Sequence, residues 1–114
     1  MTLALVLFAV AAMGGALLAF LRLSNRPLPT ALALLHGALA ASGLAVLAFH
    51  ALGPAGSGQA RIALAIFVVA ALGGFVLFSF HLRKKQLPVP LVLIHGAAAV
   101  VAFLILLVAV IGAS

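Results

Sequence analysis

Residues 3–23 read LALVLFAVAAMGGALLAFLRL, an apolar run interrupted by a single charge, at Arg22. Three similar runs follow at about 29–52, 61–82 and 88–111. A helix needs about 20 apolar residues to cross a bilayer, and inside lipid it satisfies its own backbone hydrogen bonds. Because no run alternates with the period of a β-strand, the sequence predicts an all-α membrane protein. Short turns between the runs make it a four-transmembrane-helix bundle, a single membrane domain spanning 1–114.

The composition excludes most enzyme chemistry. The 114 residues are 68% hydrophobic and include six Lys and Arg, no Asp or Glu and no Cys, for a formal net charge of +6. Without carboxylates or thiols, catalytic triads, carboxylate metal sites and thiolate metal sites cannot form. Six cations among apolar runs suit anionic lipid headgroups better than nucleic acid. We therefore expect a lipid bilayer as the partner, no nucleic acid and no catalytic side chain, with oligomerisation left open.

The positions of the cations predict an orientation. Five of the six flank the first and third turns, whereas Arg61 alone lies near the second. Basic turns stay on the cytoplasmic side of a membrane, so both termini are expected outside. The first run lacks the basic region of a signal peptide and is long enough to span, so we expect it to be retained. The five clustered cations are Arg22, Arg26, Arg83, Lys84 and Lys85.

The chain matches itself at an offset of 59 residues without gaps. Aligning repeat one (1–55) with repeat two (60–114) gives 20 identities in 55 pairs. Each repeat holds two spans, so both insert in the same direction and are related by a pseudo-two-fold axis along the membrane normal. That axis places the first and third helices on one diagonal of the bundle, and the second and fourth on the other. The informative matches are Gly14-Gly15 with Gly73-Gly74, Pro29 with Pro88, and His36-Gly37 with His95-Gly96.

The repeat also places two histidines at one depth. His36 lies seven residues after Pro29, and His95 lies seven after Pro88. At 1.5 Å per residue, each lies about 10 Å inside the membrane from the cytoplasmic side. The two Gly-Gly pairs sit at a similar depth on the other two helices. A ligating side chain this deep in a membrane is a candidate functional site.

Two symmetry-related imidazoles can supply both axial ligands of one haem iron, and helical bundles host such cofactors. We therefore predict His36 and His95 as the metal ligands of a single haem b. Glycines would make room for the macrocycle, and cations near the cytoplasmic edge would pair with the propionates. The predicted cofactor-binding residues are Gly14, Gly15, Gly37, Gly73, Gly74, Gly96, Arg22 and His81.

Through its Gly-Gly and His-Gly pairs the chain resembles the transmembrane b-type cytochromes of bacterial membranes, which are helical bundles with bis-histidine haem. The resemblance implies electron transfer, with quinone or a partner redox protein, in a bacterial inner membrane. The resemblance implies that the chain is an electron carrier. If it is an enzyme, the resemblance implies a quinone-linked oxidoreductase. His50 lies 14 residues after His36, a spacing that looks like the two-haem members. Its repeat partner is Ala109, so we predict one haem.

Two other functions are compatible with the same residues. Small residues in spanning helices commonly serve close helix packing without a cofactor, as they would in a small accessory or assembly subunit of a membrane complex. A histidine-based proton or metal transporter is the other alternative. The four-span multidrug exporters are disfavoured, because they depend on a Glu in the first helix and this chain has none.

Overall fold

The computed structural model describes residues 1–113 and consists of four α-helices joined by short turns. All four are long and apolar enough to cross a membrane. The predicted all-α, four-span bundle is therefore confirmed, and its apolar surface belongs in a lipid bilayer. The helices are α1 (Thr2–Leu23), α2 (Thr30–Ala51), α3 (Gly58–Leu82) and α4 (Val89–Ala113).

The helices form a ring in which each packs against two neighbours. α1 and α3 each contact both α2 and α4, and the pairs α1–α2 and α3–α4 pack most closely. α1 therefore lies diagonally opposite α3, and α2 opposite α4, as predicted. The bundle measures 43 × 19 × 18 Å, which matches a bilayer of about 40–45 Å including its headgroup layers. The tandem repeat itself stays a prediction from the sequence.

The predicted spans differ from the helices mainly at the start of α3. This helix begins at Gly58, three residues before the predicted position, because Ser57 caps it. The Ser57 hydroxyl accepts a hydrogen bond from the Ala60 amide at 3.1 Å, which satisfies one of the unpaired N–H groups of the first turn. Arg61 donates to carbonyl oxygens at the end of α2 and in the following turn.

The first and third turns close in the same way. Asn25 and Lys84 both have φ of 56°, in the left-handed region that ends many helices. After each of them, the next backbone N–H donates to the carbonyl five residues earlier, at 2.8 and 2.9 Å. Both turns lie at one end of the bundle, which we call the basic end. The end that carries Met1 and the α2–α3 turn is called the terminal end.

The core of the bundle lies towards the terminal end. Phe8 of α1 and Phe67 of α3 stack across the diagonal, with ring centroids 3.8 Å apart and planes within 3°. Gly43 leaves room for this stack, since a Cβ there would lie 3.2 Å from the Phe8 ring. Leu47 and Leu106 are fully buried in the same cluster. This aromatic layer closes the interior on the terminal side.

The half of the bundle near the basic end contains fewer buried residues than the terminal half. Among the described side chains, Leu77 and Val92 are the buried residues of that half. Towards lipid, large apolar side chains are exposed along all four helices, and Phe49 is 89% exposed. The bundle therefore combines a terminal half with most of the buried core, a basic half with few buried side chains and an apolar outer surface.

We expect Phe67→Ala to lower the free energy of unfolding by on the order of 2 kcal/mol, the cost of the cavity left by the lost ring. Burial from water adds little between helices in lipid, so van der Waals packing supplies most of the stabilisation. Thermal unfolding in detergent measures the change. Phe49→Ala is the matched control, because its ring faces lipid. Equal melting temperatures for the two variants would contradict the assignment of the core.

Candidate functional site

His36 of α2 and His95 of α4 meet across the interior of the bundle. Their ring centroids lie 6.3 Å apart and the ring planes are nearly perpendicular, at 88°. Both residues are half-buried. The structure thus brings together the two histidines that the sequence placed at one depth on opposed helices.

Each imidazole is held by a carbonyl of the preceding helix. Nδ1 of His36 lies 2.7 Å from the Ala11 oxygen, and Nδ1 of His95 lies 2.7 Å from the Ala70 oxygen. A carbonyl oxygen can only accept, so Nδ1 carries the proton and donates in both rings. In the neutral imidazole, Nε2 then keeps an unprotonated lone pair. No other hydrogen bond to either ring occurs within residues 1–113.

Gly15 and Gly74 make this contact possible. Each lies four residues after the accepting alanine, and on a helix surface that position is the direct neighbour. A Cβ on Gly15 would lie 2.8 Å from Cε1 of His36, and one on Gly74 would lie 3.1 Å from Cε1 of His95. A larger residue at position 15 would displace the His36 ring, and one at position 74 would press closely against the His95 ring. In the structure these glycines therefore receive the imidazoles, and their predicted role towards a porphyrin stays a prediction.

The other predicted glycines divide into two groups. A Cβ on Gly14 would lie 3.6 Å from the Cβ of His36, and a Cβ on Gly73 would lie 3.7 Å from Nδ1 of His95. Both distances are ordinary van der Waals contacts. A Cβ on Gly37 or Gly96 would meet nothing within 4 Å. Each follows a histidine directly, and successive helical residues are turned by about 100°. Four of the six glycines therefore contact the histidine side chains of the neighbouring helices, whereas a side chain at Gly37 or Gly96 would extend into open space.

Arg22 and His81 lie at the basic end, between the two turns. Nε of Arg22 donates to the Leu87 oxygen at 2.7 Å, and Nη1 donates to Oδ1 of Asn25 at 3.3 Å. Nε2 of His81 lies 3.0 Å from the Thr30 hydroxyl. Both side chains therefore belong to a network that joins the first and third turns. Their predicted pairing with propionates stays a prediction.

His50 is separate from the histidine pair. It lies near the end of α2, beside a shallow, mostly apolar hollow at the terminal end. The 14 residues from His36 correspond to about 21 Å along the helix. Among the described residues, no three potential metal ligands cluster together. The histidine pair is therefore a site with two donors.

The two donors have the arrangement typical of metal-bound histidines. A ligating imidazole usually donates its other N–H to a carbonyl or carboxylate, which fixes the tautomer and the ring orientation. Ala11 and Ala70 supply that acceptor here. These carbonyls were not predicted from the sequence, although the spacing of 25 residues from acceptor to histidine is the same in both halves.

The chain matches no protein-family model, no curated protein and no solved structure. The geometry of the histidine pair is therefore the basis for a function.

We expect Gly15→Ala to destabilise the protein by about 1–3 kcal/mol, because the added methyl group overpacks the His36 ring. Gly37→Ala is the matched control, since its methyl group would enter open space and alanine is the better helix former. Thermal unfolding of both variants in the same detergent measures the difference. A Gly15→Ala protein as stable as Gly37→Ala would contradict the packing described for the ring.

Proposed function

We propose that this chain is a membrane b-type cytochrome that carries electrons through one haem b between His36 and His95. The supporting observation is the pair of matched hydrogen bonds from Nδ1 to backbone carbonyls. These bonds commit one nitrogen of each ring to the protein and leave both Nε2 lone pairs for a metal. The backbone bonds also increase the basicity of the ligating nitrogens.

The spacing of the rings is compatible with such a ligand pair. One metal ion held by a nitrogen of each ring at about 2 Å would allow ring centroids up to about 6 Å apart. The observed separation is 6.3 Å. Two imidazoles in direct edge-to-face contact also fall in a range of about 4.5–7 Å, so a spectroscopic test is needed to separate the two arrangements.

The side chains define the chemistry of the site. When bound, haem b supplies a one-electron Fe(III)/Fe(II) couple. His36 and His95 would hold the haem, and with both imidazoles committed to it the site favours electron transfer over catalysis. The Phe8–Phe67 stack lies on the terminal side of the pair, and apolar helices surround it. A quinone or a redox protein would be the electron partner.

The test is the absorption spectrum of the full-length chain, produced with ample haem and purified in mild detergent. We expect a Soret band, sharp low-spin bands after dithionite reduction, and one haem per chain. His36→Ala and His95→Ala should each abolish the sharp bands, because each removes an axial ligand. His50→Ala is the matched control and should keep them.

Circular dichroism and gel filtration of each variant show whether loss of haem reflects loss of the fold. A helical, monodisperse wild-type protein without a Soret band would overturn the proposal. If His36→Ala and His95→Ala both kept the sharp bands, the haem ligands would be residues other than these two histidines.

We also propose that the basic end faces the cytoplasm of a bacterial inner membrane, with both termini outside. The support is the distribution of charge, since Arg61 is the one Lys or Arg near the terminal end and its side chain is bonded to nearby carbonyls. Cationic turns remain on the cytoplasmic side during insertion.

Because the chain contains no cysteine, single cysteines report this orientation directly. We expect Gln59→Cys, at the terminal end, to react with a membrane-impermeant maleimide added to intact spheroplasts. Gln86→Cys, at the basic end, should react only after lysis. Gln59 and Gln86 are both exposed, so a cysteine at either position is accessible to the reagent. The reverse labelling pattern would contradict the proposed orientation.

A further inference from the structure

A cleft of about 580 Å³ opens at the basic end, between the α1–α2 turn and the α3–α4 turn. Five residues from the end of α1 and the turn after it line the cleft, and so do five from the end of α3 and the turn after it. Each residue of the first group has its counterpart 59 positions later in the second. The cleft therefore straddles the centre of the bundle and does not belong to one helix pair. Its volume falls within the range of about 300–1,000 Å³ that is typical of ligand pockets. The pairings that include a basic side chain are Arg22 with His81, Asn25 with Lys84, and Arg26 with Lys85.

The cleft concentrates positive charge that the protein does not neutralise. Four of the six Lys and Arg residues line it, and the chain has no Asp or Glu. Arg26, Lys84 and Lys85 are exposed, and within residues 1–113 their side chains make no hydrogen bond. Like charges brought together in this way repel one another and attract an anion.

The walls of the cleft are fixed by contacts between the two turns. The Arg22 hydrogen bond to Leu87 joins the end of α1 to the α3–α4 turn. The contact between Thr30 and His81 joins the start of α2 to the end of α3. These bonds hold the two turns at a set separation, so the cations that the turns carry lie on opposite sides of the cleft.

We propose that this cleft binds a phosphate group, carried by an anionic phospholipid headgroup or supplied as inorganic phosphate. Guanidinium and ammonium donors match the charge and the oxygen acceptors of phosphate. The cleft lies where spanning helices end, which is the depth of lipid headgroups, and basic pockets between such helices bind anionic lipids. A bound phosphate bridges the two turns. It thereby stabilises the basic half of the bundle, which has few buried side chains. The proposal does not depend on haem.

Arg83 supplies a matched control. It adjoins Lys84 in sequence and carries the same charge, but it does not line the cleft. Its guanidinium donates to the backbone oxygen and hydroxyl of Ser79, at 3.2 and 3.3 Å, and lies 4.8 Å from the centroid of the Phe80 ring. Removing its charge changes the general attraction to anionic lipid and leaves the cleft intact.

The experiment follows the melting temperature of the full-length chain in a neutral detergent. Phosphatidylglycerol, phosphatidylcholine and inorganic phosphate are titrated separately at constant ionic strength. We expect phosphatidylglycerol to raise the melting temperature and phosphatidylcholine to leave it unchanged. For the double variant Lys84→Gln and Lys85→Gln, the lipid concentration at half-effect should rise on the order of tenfold or more. Arg83→Gln, which removes one charge outside the cleft, should raise it clearly less than Lys85→Gln, which removes one charge from the cleft.

A rise with inorganic phosphate that the double variant loses would support the site with free phosphate as its source. A rise with phosphatidylglycerol alone would support the site with lipid as its source. The proposal would be overturned if Arg83→Gln shifted the lipid concentration at half-effect as much as the cleft variants do. It would also be overturned if phosphatidylcholine raised the melting temperature as much as phosphatidylglycerol, or if none of the three additions raised it. If the double variant does not fold, Arg26→Gln with Lys85→Gln removes two cleft charges instead and tests the same loss.

Discussion

The hydrogen bond from each histidine to a carbonyl of the preceding helix is the contact on which the interior of this bundle depends. An imidazole inside a membrane must satisfy its N–H within the protein, because lipid offers no acceptor. Ala11 and Ala70 provide the oxygens at 2.7 Å. The Ala11 carbonyl can accept from His36 because Gly15, four positions later on the same helix face, leaves space for the ring. The same bond leaves Nε2 as a lone-pair donor.

The two halves of the bundle differ in how many side chains they bury and in the groups that they hold. In the terminal half, the Phe8–Phe67 stack and the fully buried leucines pack the four helices closely. The basic half has few buried side chains among those described, but it holds the histidine pair and the cationic cleft. A protein that stabilises one half by packing can keep the other half available for a cofactor and an anion. The proposed cytochrome and the phosphate site both follow from this division.

The spans and the histidine layer could be predicted because apolar runs and spacing from proline set depth directly. Details that depend on side-chain direction could not. Gly37 and Gly96 directly follow the histidines in sequence, but sequence adjacency does not give the direction of a side chain, because successive helical residues are turned by about 100°. The carbonyl acceptors carry no residue signature. The Phe8–Phe67 stack did have a sequence signal, since these residues are 59 positions apart, the offset of the predicted repeat. That signal is weak, because a phenylalanine in an apolar helix differs little in hydrophobicity from the leucines and valines around it.

Electron paramagnetic resonance of the oxidised protein is the sharpest test of haem ligation by the histidine pair, since it reports both the ligands and their relative orientation. We expect a low-spin ferric signal typical of two imidazoles with nearly perpendicular planes, because the rings stand at 88°. That signal should be absent when either His36 or His95 is replaced by alanine. A folded wild-type protein that binds no iron, or a low-spin signal that persists without both histidines, would contradict this ligation.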